Sequence, residues 1–260
     1  MRHSWQQRID RASELAARDQ TARPLLDVYR RLLILQRDCH ASLETHAHAL
    51  TGSLEQDLPS VRACACRIPD EVAAFGPPPV VEQARELADG GQRVIDSMLL
   101  EGWRTPSDGR FLAKVVLQPY ATCLAAHGIR PIDRQLPPRH TACPFCGGAP
   151  QVSVLHHAMD ADGGGRDLVC GTCSTTWPFR RLLCAHCGED AEGQLGYFHS
   201  GAYEHLRIDA CETCKHYLKS VDLTRLGVAV PLVDELAAAP LDLWARERGY
   251  EKIELNLIGL

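Results

Sequence analysis

The chain has 260 residues, of which 45% are apolar and 23% are charged, and its formal net charge is −5. These values are ordinary for a globular protein and exclude a disordered or collagen-like chain. Its apolar stretches are far shorter than the roughly 18 residues of a membrane helix, and we expect no secretory signal at the N-terminus. The negative charge argues against non-specific binding to nucleic acid or to an anionic membrane.

The first 135 residues are predicted to be helical. From Pro24 onwards, apolar side chains recur at spacings of three and four, which predicts a helix with one buried stripe. A second helix is expected after the prolines at 77–79, and Gly90-Gly91 is a candidate break within it. A third helix is expected to begin near residues 107–108 and to end at 127–128.

The composition changes after a proline-containing linker at 129–140. Glycines, short β-branched runs and paired cysteines then predict β-hairpins, a helical pattern returns at 226–250, and an apolar tail at 253–260 is expected to dock. The predicted fold class is α+β. Its predicted divisions are an all-helical N-terminal domain (1–135), two tandem tetracysteine metal modules (139–181 and 182–222), and a C-terminal helix and tail (223–260).

Eight of the twelve cysteines form four Cys-x-x-Cys pairs. The pairs are Cys143/Cys146, Cys170/Cys173, Cys184/Cys187 and Cys211/Cys214. The third and fourth pairs repeat the first and second with a constant offset of 41 residues, and Gly147 and Gly188 obey the same offset. This periodicity predicts a tandem duplication of one metal-binding module.

The spacing suits a metal site because a Cys-x-x-Cys turn brings two sulfur atoms onto one ion, and two such turns complete a tetrahedron. Four thiolates suit zinc or a single iron, and the spacing does not separate these metals. The duplication favours one site from Cys143, Cys146, Cys170 and Cys173 and a second from Cys184, Cys187, Cys211 and Cys214. An interleaved pairing stays open, as do reduced cysteines or disulfides.

The remaining cysteines and the histidines are weaker candidates. Cys64-Ala-Cys66 has the wrong spacing for a turn about a metal, and Cys39 and Cys123 are interpreted as small core residues on apolar helix faces. The histidines near the modules are each expected to be surface or packing residues rather than ligands: His156, His157, His186, His199 and His205.

Three functions fit a pair of closed metal modules. A zinc-ribbon adaptor for nucleic acid is disfavoured because residues 139–222 contain seven Lys/Arg against ten Asp/Glu. An electron carrier with two single-iron centres and a scaffold for a protein partner stay open. No nucleophile and base are recognisable, so we expect no enzyme.

The residues resemble the formate dehydrogenase accessory, or formation, protein family (FdhE). The resemblance rests on the four cysteine pairs after a helical half, including Cys143-Pro-x-Cys-Gly and Trp177 after the second pair. Softer matches are Phe111 to Tyr120 and Trp244 to Leu257, so that the resemblance covers most of the chain.

The resemblance implies a cytoplasmic assembly factor that binds the catalytic subunit of formate dehydrogenase before that subunit is exported. It also implies that the two modules are rubredoxin-like and that each binds iron, with zinc as the alternative. No nucleic acid or membrane partner is expected, and the apolar helical faces and tail could support a homodimer.

Overall fold

The predicted change from helices to strands near residue 140 is present in the structure, which is a computed structural model of the chain. It describes residues 3–260 apart from 66, 77, 105–110, 135, 137–139 and 158–163. The predicted start of the third helix at 107–108 lies outside the described residues, as does Cys66. The α+β fold class is confirmed, because helices precede a sheet that carries both cysteine repeats.

Six helices form the N-terminal half of the described chain. They are α1 (Trp5–Arg18), α2 (Arg23–Glu44), α3 (Leu54–Ala65), α4 (Ile68–Ala73), α5 (Pro78–Arg104) and α6 (Phe111–Ala126), with a 3-10 turn at Ala47–Ala49. The predicted apolar stripe of α2 faces the hydrophobic core of the protein, where Leu26 and Leu32 are fully buried. Gly91 has a φ of 66° and interrupts α5, as the sequence predicts. Among the described residues, no helix is long and apolar enough to cross a membrane.

Helices α2 and α6 pack side by side and run parallel. Gln36 on α2 donates a hydrogen bond to the carbonyl oxygen of Val115 on α6 at 3.0 Å. Eight residues further along α2, Glu44 lies 2.8 Å from His127, which directly follows α6. The C-terminal ends of both helices therefore meet at the same place on the surface.

The two cysteine repeats share one sheet. Its strands are β1 (Pro150–His156), β2 (Gly165–Cys170), β3 (Thr176–Pro178), β4 (Leu195–His199), β5 (Leu206–Cys211), β6 (His216–Asp222) and β7 (Glu251–Lys252). Neighbouring strands follow the order β3-β2-β1-β6-β5-β4, and β7 pairs with β6. Within each repeat the strands are antiparallel, as predicted for hairpins. The repeats are joined by β1 and β6, which are parallel and place Val152 opposite Lys219.

The predicted C-terminal helical segment consists of two short helices, α7 (Pro231–Ala237) and α8 (Ala239–Glu247). The break falls at Ala238, with φ −91° and ψ 43°, because Pro240 has no N–H group to continue the first helix. The apolar tail docks as predicted: Leu257 is buried, and Lys114 of α6 donates hydrogen bonds to Glu254 and to the carbonyl oxygen of Leu255.

A fully buried network of four charges attaches this C-terminal segment to the sheet. Lys219 of β6 lies 3.0 Å from a carboxylate oxygen of Glu235, and Lys252 of β7 lies 2.8 Å from the same oxygen. Asp242 of α8 lies 3.3 Å from Lys252 and also pairs with Lys219. The two lysines hold the pKa of Glu235 at about 2, although burial alone would raise it. Two positive and two negative charges thus compensate one another in the interior.

Replacing Lys252 by alanine tests this network. The change leaves two buried carboxylates with one lysine, and we expect it to lower the free energy of unfolding by about 3–5 kcal/mol. The measurement is urea unfolding of zinc-loaded protein at neutral pH. Arg18→Ala is the control, because the exposed pair of Arg18 with Glu14 is worth about 1 kcal/mol or less. Equal losses for the two variants would contradict this role of Lys252.

Candidate metal centres

The four cysteine sulfur atoms of each repeat lie together. In the first cluster, Cys143 Sγ lies 3.6 Å from Cys173 Sγ, and Cys146 Sγ lies 3.5 Å from Cys170 Sγ. The corresponding distances in the second cluster are 3.7 Å for Cys184 to Cys214 and 3.8 Å for Cys187 to Cys211. A tetrahedron with metal–sulfur bonds of about 2.3 Å has edges of about 3.8 Å, so each cluster fits one ion. The structure thus groups the pairs within each repeat and does not interleave them.

The first cysteine turn of each repeat is built by a glycine. The N–H group of Gly147 donates to the carbonyl oxygen of Cys143 at 2.8 Å, and Gly188 donates to that of Cys184 at 3.1 Å. Their φ angles of 71° and 79° lie in the left-handed region that favours glycine. The chain can therefore curl around the sulfur atoms as the sequence predicts.

The second cysteine turn of each repeat contains a non-glycine residue with a left-handed backbone conformation, which the sequence analysis did not predict. Ser174 and Lys215 both have a φ of 57°, and they are separated by the same offset of 41 residues. Each donates its N–H group to the carbonyl oxygen of a cysteine, Cys170 at 3.2 Å and Cys211 at 2.9 Å. Since neither residue is glycine, only the repeat offset could have indicated this shared conformation.

The electrostatics of the first cluster suit a bound cation. Hydrogen bonds from neighbouring thiols, that of Cys146 first, hold the pKa of Cys143 far below its usual range. Burial raises the pKa of Cys170 well above its usual range. Four thiols this close cannot all ionise unless a positive ion compensates them, and a coordinated metal deprotonates its thiols outright. The donor set suits zinc or iron, each of which accepts four thiolates.

The two clusters differ in their exposure to solvent. All four cysteines of the first cluster are buried within the main hydrophobic core, whereas Cys187 of the second is exposed and Cys214 is half-buried. The helical half covers the first cluster: Gln118 of α6 donates to the carbonyl oxygen of Gly171 at 2.7 Å. The second cluster therefore offers a route for solvent, chelators or a partner to reach its sulfur atoms.

Two histidines flank the exposed cluster. The rings of His186 and His216 stack with centroids 3.7 Å apart and planes 10° from parallel. Their ligand atoms lie within 4.8 Å of one another and of Cys214 Sγ. An imidazole nitrogen binds a metal ion in the plane of its ring, and a single ion cannot lie in both of two stacked planes. The first repeat has Phe145 and Thr175 at the positions equivalent to these histidines.

The other weak candidates lie apart from both clusters. Cys39 and Cys123 are buried among the helices as predicted, and the thiol of Cys64 lies 3.6 Å from the carbonyl oxygen of Cys39. Among the described residues, four of the histidines belong to no group of metal-ligating side chains: His156, His157, His199 and His205. His205 instead lies 3.1 Å from Asp234.

The cysteine repeats are similar to one family of known proteins. Residues 142–181 match the family model "FdhE, central domain", and residues 182–258 match "FdhE, C-terminal domain". A "Protein FdhE homolog" from Aquifex aeolicus is 39% identical over 117 residues, which are 45% of this chain and 41% of that protein. One from Haemophilus ducreyi is 34% identical over 165 residues, which are 63% of this chain and 52% of that protein. The matches thus span about half of these relatives or less.

The fold of the whole chain is also shared with a solved structure. The crystal structure of the FdhE protein from Pseudomonas aeruginosa aligns with a TM-score of 0.65 at 23% identity. The alignment covers 99% of this chain and 97% of that chain. The common fold therefore includes the helical half. The family models confirm the resemblance drawn from the cysteine motifs.

The unequal exposure predicts unequal metal exchange. When protein loaded with two equivalents of zinc is mixed with a coloured chelator, we expect the zinc of the second cluster to leave at least about tenfold faster than that of the first. This ratio needs a difference of only about 1.4 kcal/mol between the activation free energies of release. The Cys184→Ser/Cys187→Ser variant should show the slow phase alone, because it lacks the exposed cluster. Cys39→Ser, which alters a buried cysteine outside both clusters, should keep both phases. Release of both equivalents in a single phase would contradict the prediction.

Proposed function

We propose that this chain is an accessory protein for the assembly of formate dehydrogenase, because residues 142–258 match the two models of the FdhE family. The observation that carries the proposal is the presence of two four-sulfur clusters in the matched segment. The proposed partner is the catalytic subunit of the enzyme, bound in the cytoplasm. A reducing compartment suits eight cysteines that serve as ligands rather than as disulfides.

The proposed metal ligands are the eight paired cysteines. Cys143, Cys146, Cys170 and Cys173 hold one ion, and Cys184, Cys187, Cys211 and Cys214 hold the other. We favour iron, with zinc as the alternative, and we assign the modules to 139–181 and 182–222. A bound ion would cross-link the two turns of each module, and iron would also accept or donate one electron. Four protein ligands leave no open position for hydrolytic chemistry, so we propose a binding role and no enzyme activity.

We place the partner-binding face at the second module. Its cluster is the exposed one, and the neighbouring Leu182 exposes 65% of its surface. An exposed large apolar residue beside a polar rim is a frequent element of protein interfaces. The first module is covered by helices and has the role of a structural support in this proposal.

A rubredoxin-like electron carrier is the second candidate function. The exposure of Cys187 favours it, because a metal near the surface can exchange electrons with another protein. A zinc-ribbon adaptor for nucleic acid is less favoured, since four thiolates around a divalent ion add two negative charges to each module, and the two modules together already contain ten Asp/Glu against seven Lys/Arg.

The test is an anaerobic pull-down from cells that make formate dehydrogenase. Wild-type protein should retrieve the catalytic subunit, and Leu182→Asp should reduce the yield several-fold, because a charge at the centre of an apolar contact is costly. Val228→Asp is the matched control: Val228 is 69% exposed, and the substitution should leave the yield unchanged. Failure of the wild type to retrieve an abundant subunit would overturn the proposal.

Metal replacement separates the two candidate functions. If the metals support a binding surface, zinc-loaded protein should retrieve the subunit as well as iron-loaded protein does. If electron transfer is the function, only the iron form should support it, as measured by reduction and reoxidation of its visible absorption. Salt-sensitive retardation of DNA or RNA in a gel would instead favour the nucleic-acid adaptor.

A further inference from the structure

Three metal-ligating side chains outside the cysteine repeats meet at the ends of α2 and α6. Glu44 is the last residue of α2, and Cys123 and His127 are one turn apart at the end of α6. Glu44 Oε2 lies 2.8 Å from His127 Nε2, and the ligand atoms of all three residues lie within 4.8 Å of one another. The parallel packing of the two helices brings these residues together.

The chemistry of the cluster suits a divalent transition metal. Thiolate, imidazole and carboxylate are the three ligand types that zinc accepts, and three protein ligands leave one tetrahedral position for water. Cys123 is fully buried, whereas Glu44 and His127 are 36% and 41% exposed. An ion could thus approach from solvent between the two exposed ligands and reach the sulfur atom beneath them.

The surroundings of the cluster also favour a cation. Both helices present their C-terminal ends, where the peptide dipoles sum to a partial negative charge. Neither last turn carries a lysine or arginine that would compensate this charge. His40, one turn before Glu44, places its Nε2 atom 3.5 Å from the other carboxylate oxygen, where it can orient the carboxylate.

We propose that Glu44, Cys123 and His127 form a third metal site, which binds one divalent transition-metal ion such as zinc. The Sγ atom of Cys123 lies within 4.8 Å of the ligand atoms of Glu44 and His127. On binding, the ion replaces the thiol proton, which passes to solvent, and it separates the directly paired Glu44 and His127. The site joins α2 to α6 and is independent of the two cysteine clusters.

The test uses protein in which zinc already fills both cysteine clusters. Cobalt is then added, because it binds more weakly than zinc and does not displace it. Wild-type protein should take up one further equivalent and develop the charge-transfer absorption of a thiolate bound to cobalt. Mass spectrometry of the intact protein should show two zinc ions and one cobalt ion.

Variants assign the third equivalent to this cluster. His127→Ala and Glu44→Gln alter exposed side chains and should weaken cobalt binding by more than about tenfold, the loss expected even for an outer-shell partner. Cys123→Ser should abolish the charge-transfer band. His48→Ala is the matched control, since His48 is an exposed histidine outside the cluster.

Two results would overturn the proposal. One is a wild-type protein that takes up no third equivalent, in which case Glu44 and His127 form an ion pair only. The other is a third equivalent whose affinity is unchanged in His127→Ala and Glu44→Gln, which would place the ion elsewhere. Both variants keep Cys123, so the test stands even if Cys123→Ser does not fold.

Discussion

The size of the cysteine repeat is the constraint on which the rest of this structure depends. A unit of about 40 residues cannot bury enough apolar surface to fold alone, and units of this size usually need a metal or a cross-link. Here the four-sulfur cluster closes each unit, the β1–β6 pairing joins the two units, and helices cover one side. The first cluster lies inside the core of the helical half, so that the metal module and the helices form one interior.

Local order was largely predictable from the sequence, and long-range order was not. The apolar stripe of α2, the break at Gly91 and the cysteine turns follow from periodicity and glycine chemistry. The pairing of β1 with β6 does not, because a repeat offset describes each unit and not the edges through which units join. The meeting of Glu44 with Cys123 depends likewise on the packing of distant helices.

The two repeats have diverged where they face different surroundings. Phe145 packs against the core beside the buried cluster, whereas its counterpart His186 stacks on His216 beside the exposed one. The two repeats thereby provide one enclosed and one accessible cluster of four cysteines. Backbone geometry has been kept, as the shared φ of Ser174 and Lys215 demonstrates, while the side chains around the sulfur atoms have changed.

The parallel pairing of β1 with β6 also affects how the chain can fold while it is being synthesised. Val152 pairs with Lys219, which leaves the ribosome only after 67 further residues have been added. Until then the first repeat has its four cysteines but one bare strand edge, and such an edge can recruit strands from other chains. The first repeat is therefore prone to aggregation during synthesis until β6, the last strand of the second repeat, pairs with β1.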